Sequence, residues 1–544
     1  MASPAVCFCS LLLLLLLHLP SSYAFLNGTD GSILHGIVLP EDPTAPVSDC
    51  LLRSEVPTTQ NQKPIKLRLL HRDQRRVDQA PKGLRRIDSL LESCYRDVSR
   101  IRTFHDRIDA KRPRSRDPRS ASGESLHRQL DGHGHRGRLL TQSRKEAGHG
   151  AGRPEPGRSR VVATLESGVS VGSGEYLMDV YVGTPPRHFS LIVDTGSDLN
   201  WLQCLPCRDC YPQESPHYDP AQSSSFRTVS CKDSVCMQVS SPDTSRPRCQ
   251  SENGTCDYFY WYGDRSNTTG DLATETFTVN VSSTPDGGLG SVFRLEKLVF
   301  GCGHWNRGLF HGAGGLLGLG RGELSFLSQL QSTYGRKFSY CLVDRESDPS
   351  VSGRLVLGED DGLVRHPNVQ FTELVPVKES PVDTFYYVRI KAVRVGGEVL
   401  RIPPETFQIG PDGSGGTIVD SGTTLTYFPE PAMAEIKAAF LRKVKGLDRV
   451  SGFKQLDLCF NVTGADRVEL PEFSILFMDG AVWSFPAENY FIRLDPEGVI
   501  CLALLGTPMS SLSILGNYQQ QNFHVLYDLD KSRIGFAPEK CAEV

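Results

Sequence analysis

Long hydrophobic runs are nearly absent from this chain of 544 residues. The longest, Leu11 to Leu17 in "LLLLLLLHLP", falls short of the roughly 18 to 20 apolar residues that a membrane-spanning helix needs. Lys and Arg are missing from the first 24 residues, so only the amino terminus supplies the positive start of a secretory leader. The small-x-small triplet Ser22-Tyr23-Ala24 still marks residues 1–24 as an expected signal peptide. The chain closes on "PEKCAEV" without an apolar tail, so no lipid or membrane anchor is expected. Zinc partners are lacking too. Cys204-x-x-Cys207-x-x-Cys210 has the close thiol spacing that zinc favours, but no matching knuckle or His pair follows, and neither metal nor cofactor is expected.

What is present is divided by charge. Residues 25–160 hold 27 Lys+Arg against 17 Asp+Glu, a net of +10, and residues 161–544 hold 32 against 46, a net of −14. In the basic piece Leu84, Ile87, Leu90, Leu91, Cys94, Val98 and Ile101 recur in steps of three and four, which predicts a helix with one apolar face. Beyond Arg112 the stretch "RPRSRDPRSASGESLHRQLDGHGHRGR" has few apolar residues and is expected to stay disordered, with His133 and His135 as linker residues. A basic tract is compatible with nucleic acid, but a secretory leader makes that partner unexpected. Two readings remain: a solvated linker, or a prosegment whose cations lie against the acidic body, acting as an intramolecular inhibitor until it is cut away near Arg160.

Of sixteen cysteines, Cys7 and Cys9 leave with the leader, and Cys50 and Cys94 lie in the basic piece. Twelve remain: Cys204, Cys207, Cys210, Cys231, Cys236, Cys249, Cys256, Cys302, Cys341, Cys459, Cys501 and Cys541. An even set in a secreted body points to disulfides. Sequons at Asn27, Asn253, Asn267, Asn280 and Asn461 predict a glycoprotein. Strands are predicted at Tyr176 to Val182, Phe189 to Val193 and Val388 to Val395, and a helix through Met433, Ile436, Phe440 and Val444 after Pro431. The body is therefore expected to be mainly β with few helices.

The most informative pattern is a duplication. Ile192 to Trp201 read "IVDTGSDLNW" and Ile418 to Tyr427 read "IVDSGTTLTY", with an acid at the same place in each. Each copy runs an apolar strand into Asp, hydroxyl, Gly, hydroxyl: Asp194-Thr195-Gly196-Ser197 and Asp420-Ser421-Gly422-Thr423. Glycine permits the sharp turn, and small hydroxyls can donate to a carboxylate and hold it. An apolar-apolar-Gly triplet follows each acid, at Leu316-Leu317-Gly318 and Ile514-Leu515-Gly516. If two such halves pack about a pseudo-twofold axis, the acids meet, like charges conflict and one carboxyl pKa rises. Such a pair provides a base and an acid together.

These residues resemble the pepsin-like aspartic proteases (peptidase family A1), in the plant group typified by nepenthesin. The resemblance runs from "GEYLMDVYVGTPP" at Gly174 to "ILGNYQQQNFHVLYDLDKSRIGFAPEKC" ending at Cys541. It implies a bilobal fold with pseudo-twofold related lobes, an N-terminal lobe over 161–368 and a C-terminal lobe over 369–544. It makes Asp194 and Asp420 the catalytic pair, with Ser197 and Thr423 bonding the outer carboxylate oxygens and Thr195 and Ser421 clasping the loops. It also implies a flap in "YWYGDRSNTTGDLATETF" from Tyr260, where Tyr262, Gly263 and Asp264 would meet substrate and Trp201 would bond Tyr262. Arg265 stands where the group commonly has Gly, and Asn267 begins a sequon beside it. Six disulfides follow from the resemblance, Cys459 with Cys501 and Cys341 with Cys541 among them. The implied product is a monomeric, acid-active plant endopeptidase made as a zymogen and sent to the apoplast, cell wall or vacuole, with peptides as substrate. The alternative is a binding protein on the same fold, like the xylanase inhibitors.

Overall fold

The computed structural model describes residues 82–111, 160–167 and 175–543, apart from 240–248, 250–253, 263–265, 282–290, 309, 311, 346, 348–350, 452–454, 466, 495–497 and 509. The leader, Asn27, Cys50, His133, His135, Asn253, and the flap residues Gly263, Asp264 and Arg265 lie outside the described residues. No helix among the described residues is long and apolar enough to cross a membrane.

The protein is mainly β and bilobal. The basic piece contributes one helix, α1 (Lys82–Lys111), which starts two residues before the predicted apolar stripe and continues past its end at Ile101. Strand β1 (Arg160–Ser167) then begins the body, so the expected boundary at 160 falls on the first residue of a strand. The predicted Tyr176–Val182 strand is β2, and Phe189 to Val193 lies inside β3 (Arg187–Asp194). Short β4 (Trp201–Gln203) and β5 (Arg227–Thr228) lead to the hairpin β6 (Asp257–Trp261) and β7 (Asn267–Val281). Then come β8 (Ser291–Arg307), β9 (Gly315–Gly318), β10 (Lys337–Cys341), β11 (Gly353–Gly358) and β12 (Gln370–Glu373). The predicted run at 388–395 is broken: Tyr387–Val388 and Ile390–Val395 are separate strands in different sheets, because Arg389 turns the chain between them. The C-terminal helix, Glu430–Lys443, begins one residue ahead of Pro431, which sits in the first turn where its missing N–H costs nothing.

One 14-stranded sheet carries β1 to β12, except that β6 pairs at its side, and also takes in the last two strands of the chain, Phe523–Asp528 and Arg533–Pro538. Phe523–Asp528 lies antiparallel to β10, with Ser339 opposite Leu526, so the end of the chain returns across the middle of the molecule. The duplicated sequence is duplicated in topology. β3 runs parallel to β9 with Asp194 opposite Gly318, and β4 runs antiparallel to β9. In the second lobe Thr417–Val419 runs parallel to Ser513–Leu515, with Thr426–Phe428 antiparallel to it. Each acid therefore ends a strand wedged beside the apolar-apolar-Gly triplet of its own half.

The twelve body cysteines form six disulfides: Cys204–Cys302, Cys207–Cys210, Cys231–Cys249, Cys236–Cys256, Cys341–Cys541 and Cys459–Cys501. Cys204, Cys207 and Cys210 are thus thiols spent on sulfur–sulfur bonds, and the two pairings implied by resemblance are present. Cys341–Cys541 closes 200 residues and fastens the end of the chain to β10.

Candidate active site

The two loops have the same internal bonding. Asp194 Oδ1 accepts from Gly196 N (2.9 Å) and its Oδ2 from Ser197 Oγ (2.5 Å). Asp420 Oδ1 accepts from Gly422 N (3.0 Å) and its Oδ2 from Thr423 Oγ1 (2.5 Å). The loops also grip each other: Thr195 N donates to Ser421 Oγ (3.1 Å) and Ser421 N to Thr195 Oγ1 (2.8 Å). Glycine is required at both turns by the other half. A Cβ on Gly196 would stand 2.7 Å from Asp420 Oδ1, and one on Gly422 would collide with Asp194 Oδ1. That cross-contact brings Asp194 and Asp420 to one place, with both side chains fully buried. Burial pushes the Asp420 carboxyl up; a neighbouring arginine opposes this and the charge of Asp194 adds to it.

The arginine is Arg100, from the basic piece. Its Nη2 donates to Asp194 Oδ1 (2.5 Å) and Asp420 Oδ1 (3.2 Å), and its Nε to Asp420 Oδ2 (3.0 Å). Burial alone would weaken its charge, but the two carboxylates hold its proton more firmly than usual. α1 is anchored on both sides of this contact. Arg96 pairs with Glu175 at 2.6 Å, both buried. Asp97 accepts from the backbone N–H of Thr424 and Leu425 (2.9 Å each) and from Tyr427 Oη (3.2 Å), thereby capping the loop that follows Asp420. Burial lifts the Asp97 carboxyl to about 6, against the pull of those donors and of Arg96. Cys94, Ile101, Phe104 and Ile108 join an apolar cluster with Phe385, Tyr387, Tyr427 and Leu512 of the C-terminal lobe. Phe104 meets Phe385 edge-on with ring centroids 4.5 Å apart.

The sequence reading found the apolar stripe but missed Arg96, Asp97 and Arg100 as contacts. The available signal was spacing: Asp97, Arg100, Phe104 and Ile108 follow three- and four-residue steps along the flank of that stripe, and the two apolar members make a purely solvated edge a poor reading of it.

Tyr262, just past β6, lines one cavity with Arg96, Arg100, Glu175 and Gly422. Trp201 Nε1 donates to Tyr262 Oη (2.8 Å), the contact expected for this pair, and Phe310 packs edge-on against Trp201. Of the sequon residues, Asn461 is exposed, Asn267 is half-buried at the start of β7, and Asn280 lies on β7.

Fold and paired loops together define a protein of the acid-protease class. Known proteins agree. The family described as "Xylanase inhibitor N-terminal" matches residues 176–359, and "Xylanase inhibitor C-terminal" matches 385–538. "Aspartyl protease family protein 2" of Arabidopsis thaliana is 42% identical over 72% of this chain and 75% of its own length. "Aspartic proteinase nepenthesin-1" of Nepenthes gracilis is 40% identical over 69% of this chain and 80% of its own length. Among solved structures, basic 7S globulin from soybean has the same fold, with a TM-score of 0.55 at 23% identity, covering 71% of this chain and 98% of that one. The chain belongs to the pepsin-like aspartic protease family, and its relatives include the nepenthesins.

Proposed function

We propose that the chain is a secreted aspartic endopeptidase, made as a zymogen, that hydrolyses peptide bonds in acid through Asp194 and Asp420. The observation carrying this reading is the pair of reciprocally clasped loops with both acids intact and each outer oxygen held by a hydroxyl. Two buried carboxyls at one place retain one proton in acid. The ionised partner takes a proton from a water, which attacks the peptide carbonyl. The protonated partner gives its proton to the carbonyl oxygen, and a tetrahedral diol results. A proton then passes to the amide nitrogen as the carbon–nitrogen bond breaks. No covalent enzyme intermediate forms.

In this reading 25–160 is the inhibitory prosegment and α1 its working part. Arg100 occupies the place of the water, and α1 fills the cleft in which a substrate would lie. Removal of the segment before β1 frees the acids.

The second reading, a binding protein without catalysis, draws support from the match to the xylanase inhibitor models. Incubation of the acid-treated protein with a denatured protein at pH 3 to 5 separates the two. Cleavage blocked by pepstatin is expected; a chain freed of α1 that cuts nothing at any pH in that range is a binding protein.

A further inference from the structure

α1 meets the cleft through three arginines, and each lies near acids of the body. Arg96 reaches Glu175 and Arg100 reaches the catalytic pair. Arg107 lies under the flap: its Nη2 donates to the Trp261 carbonyl (2.9 Å), and its guanidinium sits over the Tyr260 ring, 5.1 Å from the centroid. Its charge acts on Asp198, opposing the upward push of burial and of Asp383 on that carboxyl. Asp198 is fixed in place, since Oδ2 accepts from Thr384 Oγ1 (2.7 Å) and Oδ1 from Gly322 N (2.9 Å). Its backbone N–H donates to Tyr260 Oη (3.4 Å). A Cβ at Gly320 or Gly322 would collide with the Asp198 carboxylate, so the turn is shaped around it.

We propose, on the reading of the chain as an endopeptidase, that the cleft carries two cation-binding subsites flanking the catalytic pair. One is at Glu175, and the other is formed by Asp198, the Tyr260 ring and the Trp261 carbonyl. Its substrates are peptides with Lys or Arg on both sides of the cut bond. When α1 departs, the guanidinium groups beside Glu175 and against Tyr260 and Trp261 leave with it, and both places are open to cations of a substrate. The tyrosine face adds a cation–π contribution, which favours a guanidinium. Helix geometry sets the spacing. Arg96 and Arg100 are separated by about 6 Å along the axis, and Arg100 and Arg107 by about 10 Å. An extended strand covers those lengths with about two and about three residues. Cations about five residues apart, with the cleaved bond between them, therefore fit both subsites.

The test uses the full chain nicked by a glutamate-specific endoprotease, which finds Glu124 and Glu146 between α1 and β1, then acidified and freed of α1. Peptides vary one position at a time among Arg, Lys, norleucine and Glu. At two positions on opposite sides of the cut, Arg or Lys is expected to raise kcat/KM about tenfold over norleucine. Glu175→Gln should flatten one preference and Asp198→Asn the other, each to twofold or less. Binding to the Asp194→Asn chain supplies a second readout, in which the two-Arg peptide should bind at least tenfold more tightly than its two-norleucine counterpart. Cleavage and binding indifferent to charge, or preferences that survive both substitutions, overturn the two subsites and leave the peptidase standing. Charge-dependent binding with no cleavage by the unsubstituted chain leaves the subsites standing and removes the peptidase.

Discussion

The two Asp-hydroxyl-Gly-hydroxyl loops are alike inside and unlike outside. Asp194 and Asp420 have the same donors at the same distances within a tenth of an ångström. The N-terminal loop is followed by Asp198, whose N–H donates to Tyr260 Oη and whose carboxylate is fastened to Thr384 and the Gly320–Gly322 turn. The C-terminal loop is instead capped from outside, by Asp97 of α1 on Thr424 N and Leu425 N. The pair of acids is thus matched in both halves, and α1 meets the two halves differently: through Arg96, Arg100 and Arg107 on the first, and through Arg100 and the Asp97 cap on the second. α1 also buries its apolar residues in a cluster with the C-terminal lobe.

The largest expected effect tests the symmetry itself. Asp194→Asn and Asp420→Asn should each lower kcat by about 1,000-fold or more, with the thermal transition barely moved, since a proton-transfer group is lost from either side. Retention of activity in either variant breaks the idea of a shared proton. Next, Arg100→Ala should release the acids from their cation. Removing one partner of a buried pair costs about 3 to 5 kcal/mol, so the uncut chain should leak activity on the order of 100-fold above the parent. An uncut variant as silent as the parent would show that α1 excludes substrate by bulk alone.

Asp97 separates the two loops most sharply, through pH. Its docked carboxyl titrates near 6, above its ordinary value of 3.8, so proton uptake favours docking. Its help is complete below about pH 4 and fades as pH climbs through 6, a range of about 3 kcal/mol. Through Asp97, therefore, acid tightens the docking of α1 and does not release it. Inhibition of the cut body by a synthetic 82–111 peptide should strengthen from pH 7 to pH 4 on account of Asp97, and Asp97→Ala should lose that slope. A slope unchanged in the variant would contradict the buried cap. The smallest effect concerns the clasp: Thr195→Val and Ser421→Ala should each cost about 1 kcal/mol by chemical denaturation, and about equally.

Much of the site was legible because it is local. Strand, Asp, hydroxyl, Gly, hydroxyl is a continuous signal, and both copies folded as read. Trp201 with Tyr262 came from resemblance, and the contact is there. What could not be read was the meeting of segments far apart in the chain: Arg100 lies 320 residues from Asp420, and its face of α1 has meaning only once the cleft exists. The break at Arg389 was hidden for a related reason, since two strands in different sheets shared one apolar run.

Cys94 is buried in α1 with no disulfide, whereas all twelve cysteines of the body are paired. If residues 25–160 are an inhibitory segment, the 48 residues between Lys111 and Arg160 join α1 covalently to the body until they are cut, which raises its local concentration. After such a cut no disulfide from Cys94 would retain the helix, so a cleaved α1 that diffuses away in a large volume would not return, and the step would run one way.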